Sequence, residues 1–89
     1  MIKKFVNTID LREKLVKSHF GDNMINMLSF PDERKWYNSH VLPLDKIIVV
    51  LAKKILPNEK FDSISDVYSN AYLQNEYKKF KTLNIEISK

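Results

Sequence analysis

A strongly apolar segment, Leu44 to Leu56, is fenced by Pro43 and Pro57, and this fence constrains the fold more than anything else in the chain. Proline has no amide hydrogen and crowds the preceding turn, so Pro57 ends a helix ahead of it and Pro43 fits only at a helix start. A helix over Leu44–Ile55 is predicted. Asp45 in its first turn and Lys53 and Lys54 in its last each oppose the nearer pole of the backbone dipole, an arrangement worth about 0.3–1 kcal/mol per charge.

At about 100° per residue, Leu44, Ile47, Ile48, Leu51, Ala52 and Ile55 share one arc, which Val49 and Leu56 widen. An arc this wide is touched from more than one side, so 44–55 is expected to be the central helix of the fold. Lys46, Lys53 and Lys54 lie opposite, with Val50 among them and four residues from both Lys46 and Lys54. Val50 is therefore either covered by lysine stems or open to a partner. The segment is too short and too charged to span a bilayer, which takes about 20 apolar residues. The N-terminal Met1–Val6 has neither the apolar run nor the small-residue cleavage site of a signal peptide, so a cytoplasmic location without a membrane partner is expected.

With 89 residues, the chain is expected to form one domain, 1–89, that buries about 60–65% of its unfolded surface. There is no cysteine, which excludes disulfides, thiolate metal sites and thiol nucleophiles. The single glycine, Gly21, excludes glycine-rich phosphate loops. No cofactor is expected. The net charge of +4 divides into +1 for residues 1–45 and +3 for 46–89, a bias that permits nucleic acid or an acidic protein as partner. Lysine, isoleucine and asparagine supply 30 of the 89 residues, the choice that A+T-rich codons favour, as in a low-GC bacterium or its mobile elements.

Asp10 with Glu13 is a capping-box variant that predicts a helix over Leu11–Phe20, stopped by Gly21. Asp22 followed by Met24, Met27 and Leu28 predicts a short second helix, and Pro31 at the head of Asp32–His40 a third. Ser63-Ile64-Ser65-Asp66 matches a capping box, so the last helix is expected to start at Ile64. Its stripe Ile64, Val67, Tyr68, Ala71 and Tyr72 gives way to a second, nearly opposite stripe of Leu73, Tyr77 and Phe80. That change of face requires either a break near Tyr72–Asn75 or contacts on two sides, with the second stripe available for a homodimer. Leu83 to Ser88 alternates with a period of two, the pattern of a half-buried strand. Its only candidate partner is Ile2–Asn7, so a two-stranded ribbon of the N- and C-terminal segments is expected. The fold class is mainly α (α+β), with four to five short helices around 44–55.

Motifs for chemistry are sparse. His19 and His40 lack metal spacing, and a ribonuclease-like acid/base pair with Lys35 would need them to meet. Asp32, Glu33 and Asp45 are explained as helix-start charges rather than as divalent-ion ligands. A helix-turn-helix over 44–80 fits poorly, because the connection from Leu56 to Ser63 exceeds the usual three to four residues. Tyr68, Tyr72, Tyr77, Lys78, Lys79, Phe80 and Lys81 combine stacking rings with phosphate-neutralising amines, although a core face ending in solvated lysines is the plainer explanation. Trp36 and Tyr37 beside Arg34 and Lys35 are residue types of interface hot spots or of a small core.

The expectation is a non-enzymatic binding protein, a phage or mobile-element accessory factor that modulates or inhibits a host protein. Its candidate contact residues are Trp36, Tyr37, Lys46, Val50, Lys53, Lys54, Tyr77, Lys78, Lys79 and Lys81. The alternatives are a small basic DNA- or RNA-binding regulator and, third, a small ribonuclease toxin.

Overall fold

The first helix starts well ahead of its expected cap. In the computed structural model, which describes residues 1–22 and 28–88, α1 runs Ile2–Phe20. Phe5, Val6, Ile9, Arg12, Val16 and Phe20 recur at helical spacing and are all buried, so one continuous inward stripe outweighs the local capping signal of Asp10. Gly21 ends the helix at φ 62° and ψ −129°, donating its amide to the Lys17 carbonyl at 2.9 Å. An added Cβ would meet nothing within 4 Å, so the demand for glycine is conformational.

Helix α2, Pro31–His40, begins as expected, with Phe30 extended, Pro31 in the first turn and Asp32 and Glu33 at the positive pole. Helix α3 is Leu42–Ile55, two residues longer at its start than expected because proline is tolerated in the first turn. Leu56, at φ −125° and ψ 78°, leaves helical geometry ahead of Pro57. The Ser63–Asp66 capping box forms and opens α4, Ile64–Tyr68. The chain then breaks at Ser69–Asn70, earlier than Tyr72. Asn70 Oδ1 accepts the Leu73 amide at 2.9 Å, an N-cap for α5, Ala71–Ser88.

That reset of phase settles the two stripes. Val67 and Leu73 are fully buried, and Tyr77 and Phe80 pack on the same core, whereas Tyr72 is 52% exposed. The stripe considered for a homodimer is therefore largely used within the fold. The expected ribbon does not form: Ile2–Asn7 lies in α1 and Leu83–Ser88 in α5, and the described residues contain helices and no strand. A period-two run of six residues competes poorly with a helix already propagating from Ala71 without proline or glycine. The expected second helix at residues 23–27 lies outside the described residues.

Helix α3 packs against α1, α2 and α4, while α5 packs against α1 and α4. The centre is thus the α1–α3 pair rather than 44–55 alone. The molecule measures 40 × 36 × 18 Å, about two helix diameters thick. In so thin a slab α3 keeps an exposed face, where Ile47 and Val50 are not covered. Ile48, Leu51 and Ala52 are buried with Phe5, Val6 and Ile9 of α1, and Phe61 of the 56–63 connection completes that cluster. A second, smaller cluster holds Val16, Phe20 and Val41, with Trp36 and Tyr37 against it.

Candidate functional site

A buried ion pair stands between the two apolar clusters. Arg12 falls on α1 between Ile9 of the first cluster and Val16 of the second, and Asp45 falls on α3 between Ile48 and Val41. Their side chains are 7% and 6% exposed, and Arg12 Nε donates to Asp45 Oδ1 at 2.5 Å. The other two guanidinium nitrogens donate to Tyr68 OH at 3.2 Å and Tyr37 OH at 2.9 Å. Tyr37 OH in turn donates to Asp45 Oδ2 at 2.6 Å, and Tyr68 OH donates to Glu13 Oε1. One arginine thereby ties α1 to α2, α3 and α4.

Burial alone would lower the Arg12 pKa, but the Asp45 hydrogen bond and charge, with the two tyrosines, hold it above its ordinary value. Burial raises the Tyr37 and Tyr68 phenols, and donation to Asp45 and Glu13 raises them further. Asp45 is therefore more than the helix-start charge expected of it. A role for Arg12 was invisible in local spacing, since its partner lies 33 positions away.

Over this network lies a groove of about 530 Å³ lined by Tyr37, Leu42, Asp45, Lys46, Val49, Val50, Asp62, Ser63 and Ile64. Its walls are α3 and the start of α4, and its floor holds the Tyr37–Asp45 hydrogen bond. Val50 is 50% exposed and Ile47 43% exposed, so lysine stems do not close this face. Three of the expected contact residues, Tyr37, Lys46 and Val50, meet in the groove, whereas Lys53 and Lys54 are exposed further along α3 and do not line it. Leu42 and Ile64 also line the groove and had no place among the expected contact residues, while Ile47 is exposed on α3 outside the groove lining.

Trp36 lies elsewhere. His19 stacks on its indole with centroids 3.6 Å apart and His40 with centroids 5.1 Å apart, both nearly parallel. Two imidazoles cannot share one face at those separations without overlapping, so the indole is sandwiched between them. His19 Nε2 is 2.7 Å from Glu33 Oε2, and His40 Nδ1 is 3.1 Å from the Trp36 carbonyl. The two histidines do not face a common reacting atom. With Glu33 held by His19 and Asp45 by Arg12, the three carboxylates considered for a divalent ion do not converge.

The lysine-rich end of α5 is partly engaged. Tyr77 OH donates to Asp10 at 2.5 Å, Lys81 Nζ lies 3.0 Å from the same carboxylate, and Lys79 lies 3.6 Å from Glu76. Burial and donation to Asp10 push the Tyr77 phenol up to about 12. Lys78 is exposed beside Leu83. No described helix is long and apolar enough to cross a membrane. No family model, curated protein or solved structure matches the chain.

Proposed function

We propose that this is a non-enzymatic binding protein that docks another protein on the α3 face, with Val50 and Ile47 as apolar anchors and Lys46, Lys53 and Lys54 as a charged rim. One observation carries the proposal: the helix that supplies Ile48, Leu51 and Ala52 to the core also leaves Val50 half exposed on the wall of an apolar groove, and Ile47, outside that lining, 43% exposed. Contiguous exposed apolar surface rimmed by charge favours association, because covering it releases water at about 25 cal/mol per Å². The lysine-, isoleucine- and asparagine-rich composition supports an accessory factor of a phage or mobile element acting on a host protein.

Nucleic-acid binding through α5 has less support, because Tyr77 and Lys81 turn toward Asp10 rather than offering a ring and an amine to a strand. Ribonuclease chemistry has less still, with the two imidazoles on opposite faces of Trp36. Affinity purification from the source organism, with and without nuclease, tests the proposal. Wild-type protein is expected to retain a protein that nuclease does not release and that the Val50→Glu variant does not retain. Equal retention by the variant, or release by nuclease, overturns it.

A further inference from the structure

We infer that the occupant of the α3 groove is an amphipathic helix of a different protein, with an apolar row flanked on one side by acidic residues. The inference rests on the docking role proposed above and adds the chemistry of the partner. The described residues contain no strand and hence no sheet edge to which an extended peptide could add. A single aromatic residue, Tyr37, lines the groove, whereas polyproline segments dock between several aromatic rings. A helix laid into a groove is the remaining common mode, and the dimensions suit it. Leu42 to Val50 spans about 12 Å at about 1.5 Å per residue, room for two turns of a partner presenting anchors at i, i+4 and i+7.

Charge sets the orientation and disfavours a second copy. The α3 wall carries Lys46, with the exposed Lys53 and Lys54 further along the same helix outside the groove lining, while the opposite wall carries Asp62. A helix seated between them meets the lysines with carboxylates and leaves neutral or basic residues toward Asp62. Two copies pairing across a two-fold axis at Val50 would instead set Lys46 and Lys54 against each other, a repulsion that works against self-association.

The test is a displayed library of helical peptides with leucine at i, i+4 and i+7 and flanking positions randomised among Glu, Gln and Lys. It is sorted against the intact protein, with the Val50→Glu variant as counter-screen. The expected result is a set of Val50-dependent binders rich in glutamate on one flank. Their affinity should fall roughly tenfold in the Lys46→Glu, Lys54→Glu double variant, since each exposed ion pair contributes a factor of about two to five. Lysine substitution on that flank of the peptide should restore it. Val50-dependent binders with neutral or basic flanks would overturn the acidic helix and leave the docking face standing. Binders indifferent to Val50, or no binders, would overturn both.

Discussion

Removing Asp45 should cost a large share of the protein's stability, and removing Arg12 along with it should largely repair the damage. In the Asp45→Ala variant the Arg12 guanidinium stays 7% exposed with its main partner gone, and Tyr37 loses its acceptor. Breaking a buried pair from one side costs about 3–5 kcal/mol. A chain of this length has a total stability of about 5–13 kcal/mol at about 0.05–0.15 kcal/mol per residue, so the loss is a large share of it. With a urea m-value near about 1 kcal/mol/M for so small a domain, the midpoint should fall by about 3 M or more. Replacing both partners, as in Arg12→Met with Asp45→Leu, removes both desolvation costs and should return stability to within about 1 kcal/mol of wild type or above it. Urea unfolding followed by fluorescence of the sole tryptophan, Trp36, provides the assay. An Asp45→Ala cost below about 1 kcal/mol, or a double variant as damaged as the sum of the singles, would refute the reasoning.

Two further outcomes are expected. Because burial and hydrogen bonding raise the Tyr37, Tyr68 and Tyr77 phenols in the fold, their stabilisation is complete below the unfolded value of about 10 and is lost as pH rises through the folded values. In a Tyr72→Phe background, which removes the exposed tyrosine, circular dichroism and tyrosinate absorbance should therefore change together above about pH 10, with the onset later when Tyr77→Phe is added; tyrosinate forming well before any loss of helix in that background would contradict this. Asn70→Ala should cost about 1 kcal/mol through the lost N-cap of α5, measured by thermal unfolding, and no change would mean that the Leu73 amide finds another acceptor.

Local signals read well wherever the physics is local. Pro43, Pro57, Pro31, Gly21 and the Ser63–Asp66 box each mark a helix end in the structure. They mislead where a longer-range demand wins. Asp10 looked like a cap, but the inward stripe through Phe5 and Ile9 carries α1 past it and leaves its carboxylate to Tyr77 and Lys81. Leu83–Ser88 alternated like a strand, but its only partner, Ile2–Asn7, is itself helical. The Arg12–Asp45 pair leaves no mark in periodicity, and Phe61 reaches the core from a connection with no pattern at all. At the candidate site the legible part was Val50 among the lysines of one helix. The opposite wall at Asp62–Ile64 depends on how α4 packs against α3, which spacing along the chain does not encode.

The central claim is that Val50 serves binding rather than folding, and the Val50→Glu variant separates the two. Half burial of a valine contributes about 1 kcal/mol. Against that loss, a glutamate at 50 gains helix propensity and two i, i+4 pairs, with Lys46 and Lys54, of about 0.2–0.5 kcal/mol each. Thermal unfolding measured beside partner retention should show a Tm within about 4 °C of wild type together with lost retention. A Tm lower by more than about 10 °C, or retention unchanged at wild-type stability, would contradict the account.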